Sequence, residues 1–130
     1  AAKKRDQIES LKNIFSHKIF LEEIPKKEED LLSLPMVGKY VADALRCFAF
    51  NQNLPVIDVN VLRVMKRVFD IEDKRQIEDK LLKIIPKGQS KIFNWALIDF
   101  GSLVCRSKNP LHNICPIASM CKYLNKRDFS

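Results

Sequence analysis

The stretch Leu34-Pro35-Met36-Val37-Gly38-Lys39-Tyr40 decides how this chain folds. It separates two segments with helical spacing of apolar residues, and its own residues turn a chain rather than continue a helix. The first segment opens on Glu28, Glu29 and Asp30, acids that suit the first turn of a helix. It ends near Leu34, because a residue preceding proline disfavours the helical region. The second segment begins near Gly38 and runs to about Phe50, with Val41, Leu45, Phe48 and Ala49 on one side. Such a turn can aim several backbone N–H groups outward at the start of a helix whose dipole favours an anion, which makes a phosphate site. Gly38 allows close backbone approach or a positive φ, and Lys39 can add a charge-assisted contact. A plain helical hairpin with a capping glycine accounts for the same residues.

Outward from the hairpin, helical periodicity continues in both directions, and no segment alternates at a period of two. Upstream, Ile8, Leu11, Ile14 and Phe15 form one stripe of a helix expected from Lys3 to Phe20, which Pro25 ends or redirects. Downstream, Asn51 to Pro55 reads as a connector. A helix is expected after Asp58, with Val61, Leu62, Met65, Val68 and Phe69 as its buried face. Residues 74–85 form a further amphipathic helix stopped by Pro86 and Gly88, and Ser90 to Val104 is the most apolar helix. The expected fold class is all-α, without internal repeats.

No apolar run approaches the roughly 18–20 residues that cross a bilayer, so no membrane span is expected. The opening residues Ala1-Ala2-Lys3-Lys4-Arg5-Asp6 lack the apolar core of a signal peptide, and an intracellular location is expected. The 23 Lys and Arg against 16 Asp and Glu leave a net charge of +7, which favours polyanions such as nucleic acid or an anionic membrane surface.

Two further features carry chemistry. Asp58 stands where an N-cap belongs, immediately before an amphipathic helix; a cap alone explains it, and so does a carboxylate held for catalysis. In an intracellular chain, cysteines suggest metal or buried thiols before disulfides. Cys105-x6-His112-x2-Cys115-x5-Cys121 has the look of a ligand set, and Pro116 follows its third member. Three sulfurs and one imidazole suit structural zinc, and a loop without metal accounts for the same residues. Cys47 lies in an apolar segment and reads as core packing.

Residues 34–42 resemble the hairpin of the helix-hairpin-helix DNA glycosylases, the endonuclease III and adenine-glycosylase superfamily, whose usual pattern is Leu-Pro-Gly-Val-Gly, two variable residues, then Thr-Ala. Leu34, Pro35, Val37, Gly38 and Ala42 match. Met36 replaces the first glycine and tolerates fewer backbone conformations; Val41 replaces the threonine. The resemblance implies a base-excision DNA glycosylase acting on duplex DNA. The helix-hairpin-helix would lie at about residues 28–50, inside a partial six-helix barrel over residues 1–53. Residues 54–130 would form a helical domain with the catalytic Asp and the cysteine loop. It also implies an alkali cation held by the carbonyls of Leu32, Leu34 and Val37 and bridging to a DNA phosphate.

By the same resemblance, Asp58 is the essential carboxylate. Breaking a glycosidic bond builds positive charge on the deoxyribose, which a nearby carboxylate stabilises. Asn60 would hydrogen-bond it. Tyr40 occupies the position at which bifunctional relatives carry a lysine that forms a Schiff base. A phenol cannot form that imine, and Lys39 is rotated by about 100° on the helix, so a monofunctional enzyme using water is expected. Phe93 to Gly101 also resembles the adenine and thymine mismatch branch. Expected DNA contacts are Leu34, Met36, Val37, Gly38, Lys39, Asn60, Arg63 and Arg106. Relatives bearing a four-iron, four-sulfur cluster share the x6, x2, x5 spacing with four cysteines, and His112 takes the second place here. The resemblance leaves the N-terminal helices of the barrel unaccounted for, so a preceding segment or a second chain is expected to complete it. The alternative is a non-catalytic DNA-binding module, and the excised base cannot be read from these residues.

Overall fold

A computed structural model describes residues 4–8 and 24–128, and every regular element among the described residues is helical. Residues 4–8 are helical; the rest of the helix expected from Lys3 to Phe20 lies outside the described residues. There follow α1 (Glu28–Leu32), α2 (Lys39–Ala44, continued by a π-helical turn over Leu45–Ala49), α3 (Val59–Phe69), α4 (Lys74–Ile84) and α5 (Ser90–Leu103). Two 3-10 turns, His112–Ile114 and Ala118–Met120, lead into α6 (Lys122–Asp128). No described helix is long and apolar enough to cross a membrane.

The largest core cluster forms where three helices bury their apolar stripes together. Cys47 and Phe48 from the π turn meet Val61 and Met65 of α3, Ile77 and Leu81 of α4, and Ile98 of α5. The short helical segment at 4–8 joins through Ile8, and Arg5 pairs with Asp99 of α5. A smaller cluster of Leu31, Ala42 and Leu45 closes the hairpin from inside. A third, formed by Val64, Val68 and Cys121, seats the cysteine loop on α3.

The segment between α2 and α3 runs extended and buried, with Leu54, Pro55 and Val56 all inside. Buried backbone polar groups need partners, and here two side chains of α5 supply them. Ser90 Oγ donates to Leu54 O (2.7 Å), and Asn94 Nδ2 donates to the same carbonyl (2.8 Å). Val56 N–H donates to Asn94 Oδ1 (2.9 Å), and Leu54 N–H to Ser90 Oγ (3.1 Å). Asn94 is fully buried. This clamp delivers the chain to Asp58 along one path. Cys47 packs beside it, its Sγ 3.4 Å from Asn94 Nδ2, and burial pushes its thiol up. It is a core residue, as its apolar surroundings in the sequence suggested.

Candidate functional site

Asp58 begins α3 in an extended conformation. Val61 N–H donates to its Oδ1 (2.8 Å), while Asn60 Nδ2 donates to its Oδ2 (3.2 Å). Asp58 is only 3% exposed, and its two oxygens are thus fixed by different donors. Tyr40, in the first turn of α2, lies close enough to feel this charge. Burial, and secondarily the Asp58 carboxylate, push its phenol up to about 12, so it stays neutral at physiological pH. The Lys4 amine sits 4.9 Å from the centre of the Tyr40 ring.

Behind the carboxylate runs a chain of polar contacts. Arg63 Nη2 donates to Asn60 Oδ1 (2.9 Å) and to Gly101 O, and Arg63 Nε donates to Cys105 O (3.0 Å). Arg63, expected at a phosphate, is turned inward and ties Asn60 to the start of the cysteine loop. Gly101 is part of the same joint. A Cβ there would stand 2.9 Å from Asn60 Cβ, 3.1 Å from Asn60 O and 3.2 Å from Val64 Cγ2, so α3 and α5 meet at a distance only glycine allows. Gly101, Ser90 and Asn94 were not singled out from the sequence as site residues. The signal for them was a glycine inside a helical pattern and two polar residues four apart in the most apolar helix.

In the hairpin, Val37 N–H donates to Leu34 O (3.3 Å), closing the turn. The residue with positive φ is Met36, at 64°, with its side chain 99% exposed. Gly38 is extended (φ −93°), and a Cβ there would meet nothing within 4 Å. Neither conformation nor packing demands a glycine at 38; what its bare backbone leaves clear is the approach to the first turn of α2, whose N–H groups have no side-chain cap. Lys39 has its Nζ 2.9 Å from both Glu28 and Asp43 and 3.8 Å from Glu78, so its charge also holds the two hairpin helices together. Burial keeps the Asp43 carboxyl above its ordinary value, although Lys39 pulls it down.

The four loop residues surround one pocket, whose walls also include Val68, Phe100, Val104, Leu111 and Ile117. His112 Nε2 is buried with no hydrogen-bond partner. Arg67 Nη1 lies 3.5 Å from Cys105 Sγ and donates to Arg106 O (2.7 Å). Arg106 folds back on the loop, its Nη2 donating to Asn109 O (2.9 Å). Donors of a single zinc ion, about 2.0–2.3 Å from the metal, lie within about 4 Å of one another. Among the described residues no three His, Cys, Asp or Glu side chains are grouped so as to hold a metal ion. Three thiols and one orphaned buried imidazole nitrogen lining one apolar pocket are donor types that an iron–sulfur cluster can take.

No protein-family model matches the chain. It is 39% identical over 111 residues to an adenine DNA glycosylase of Buchnera aphidicola subsp. Baizongia pistaciae, covering 81% of this chain and 32% of that protein. It is 33% identical over 119 residues to a thymine/uracil-DNA glycosylase of Pyrobaculum aerophilum, covering 84% of this chain and 52% of that one. The fold superposes on a non-covalent endonuclease III–DNA complex with a TM-score of 0.73 at 31% identity, over 82% of this chain and 51% of the other. The chain therefore spans about a third to a half of the length of these relatives. With the hairpin, the capped carboxylate and the loop in these positions, the chain belongs to the helix-hairpin-helix DNA glycosylase superfamily of endonuclease III and the adenine glycosylases.

Proposed function

We propose that this protein is a monofunctional DNA glycosylase that hydrolyses the N-glycosidic bond of a mismatched or damaged base in duplex DNA. One observation carries the reading: a buried carboxylate, Asp58, is fixed through both oxygens at the start of α3, and its charge reaches a phenol, Tyr40, at the position where a Schiff-base lysine would stand. As the bond breaks, the deoxyribose gains positive charge, and a preorganised carboxylate in a water-poor setting stabilises that charge without having to reorient. Asn60 and Val61 N–H hold its orientation, and Tyr40 offers no amine for imine formation, so water is the final nucleophile. Reaching the base requires extruding the nucleotide, which costs least for a mispair.

DNA is gripped at the hairpin by backbone N–H groups around Gly38; the carbonyls of Leu32, Leu34 and Val37 would hold an alkali cation, which would supply positive charge for a phosphate. Met36 and Lys39 border that contact, and Arg106 meets the backbone from the loop. Cys105, His112, Cys115 and Cys121 would hold a four-iron, four-sulfur cluster, whose role would be structural, pinning the loop against α3. Helices from a preceding segment or a second chain complete the barrel; Val59 and Ile92, 62% and 66% exposed, suit such cover. The reaction places the protein inside the cell, with the DNA.

The test is excision from labelled duplexes carrying G·T, A·G, A·8-oxoguanine or uracil, followed by hot alkali. Breaks that appear only after alkali at one of these bases are expected, with Asp58→Asn reducing excision by about 10²–10³-fold or more, the scale of losing one preorganised electrostatic contact, while DNA binding persists. Salt-dependent binding without breaks at any base would overturn the catalytic reading in favour of a binding module. A joint fall of binding and stability in Asp58→Asn would reduce Asp58 to a helix cap.

A further inference from the structure

We infer that His112 binds the cluster through Nε2, and that with the Arg67 guanidinium on Cys105 Sγ it holds the cluster at a higher reduction potential than four thiolates would. The inference rests on the cluster reading above and adds to it a ligand atom, a neighbouring cation and a direction of tuning.

The first observation is an unmet need. A buried polar atom without a partner has lost its hydration with nothing in exchange, and His112 Nε2 is such an atom in a pocket it shares with three sulfurs. The ring is not free to turn away, because it stacks against Tyr123 with centroids 6.3 Å apart and planes 29° apart. An imidazole nitrogen in an apolar pocket lined by three cysteines is satisfied by becoming the fourth ligand, and an imidazole ligand brings no negative charge where a thiolate would.

The second observation is independent. Arg67 reaches from the last turn of α3 to within 3.5 Å of Cys105 Sγ, and its other contacts fix it there: Arg106 O at 2.7 Å, Ser107 O at 3.2 Å, and the Tyr123 ring at 5.4 Å. A guanidinium is charged throughout the accessible pH range. One thiolate exchanged for imidazole and one thiolate facing a cation both reduce the negative charge that an added electron must join. Net charge and hydrogen bonds to sulfur are two of the levers that set cluster potentials, and histidine ligation raises them. Both levers push the same way here.

The experiment uses the whole chain, purified without oxygen or rebuilt with iron and sulfide, and reads spectra and potential rather than excision. With 15N-labelled histidine, the reduced cluster is expected to show a nitrogen hyperfine coupling that survives His17→Ala and vanishes in His112→Cys. His112→Cys, which restores four thiolates, is expected to keep the visible absorbance and shift the potential downward; Arg67→Met is expected to shift it downward as well. Arg67→Lys, which keeps the charge, backs that variant if Arg67→Met loses the cluster, and should retain most of the wild-type potential. A nitrogen coupling absent from the wild type, or a potential unmoved in His112→Cys, overturns the histidine ligand. A potential unmoved in Arg67→Met, or one that falls in Arg67→Lys as far as it does in His112→Cys, overturns the role of Arg67. Colourless protein that takes up zinc and no iron overturns the cluster reading itself, and leaves the excision assay as a separate question.

Discussion

Gly101→Ala sets two known effects against each other, and the structure decides the sign. In an ordinary helix interior, replacing glycine by alanine stabilises by about 1 kcal/mol, and Gly101 lies within α5. The new methyl, however, would stand 2.9 Å from Asn60 Cβ and 3.1 Å from Asn60 O. Neither atom is the loose end of a flexible side chain, so α3 and α5 must part. Overpacking of that kind costs about 1–3 kcal/mol, and the net expectation is a loss of about 1 kcal/mol, or roughly 4 °C in melting temperature for a domain of this size. The second consequence separates this site from an ordinary tight contact. Pushing Asn60 weakens its 3.2 Å bond to Asp58 Oδ2 and the Arg63 bond behind it. A hydrogen bond to a charged group is worth about 1.5–3 kcal/mol, so excision should fall about tenfold or more at a temperature where the variant is still folded. Urea melts and single-turnover excision of the same preparations measure both. A Gly101→Ala protein more stable than the wild type would refute the packing argument, and one that is less stable but cuts at the wild-type rate would refute the link to Asp58.

Met36→Gly is expected to raise stability slightly. A side-chain-bearing residue in the left-handed region costs about 1–2 kcal/mol, glycine returns about 0.5–1 kcal/mol of that as entropy, and the Met36 side chain makes no packing that could be lost, being 99% exposed. An unchanged or lower urea midpoint would contradict the left-handed turn. Tyr40 supplies a pH dependence: its phenol, raised to about 12 in the fold, ionises at about 10 in the unfolded chain. Its contribution to stability is therefore complete below pH about 10 and is lost as pH rises toward 12. Near-ultraviolet titration should show a phenolate step near 12 that is missing in Tyr40→Phe; a step near 10 in its place would place Tyr40 in water.

What the sequence made legible was local. The hairpin, the Asp58 cap and the cysteine loop each lie within a short window, and their residue types state their geometry: a proline that stops a helix, an acid that starts one, sulfurs at ligand spacing. What it hid depends on partners far along the chain. Arg63 read as a DNA contact because Cys105, 42 residues away, is not its neighbour in sequence. Met36 shows another limit. It stands where the family pattern has glycine, and its backbone takes the left-handed conformation at the strain a side chain brings there, which residue type alone did not tell.

The distant partners share a helix. Asp58 caps α3, Asn60 and Arg63 sit three apart along it, and Arg67 comes one turn later, so one stripe of α3 faces the loop from end to end. Asp58 is fixed by Asn60, Asn60 by Arg63, and Arg63 by the carbonyls of Gly101 and Cys105, while Arg67 grips the loop at Cys105, Arg106 and Ser107. Each link is short and hydrogen-bonded, and α3 between them is rigid. A change that loosens the loop would therefore reach the Asp58 carboxylate through Arg63 and Asn60. That is a physical reason for the proposed metal loop and the proposed catalytic carboxylate to lie in the same small piece of chain.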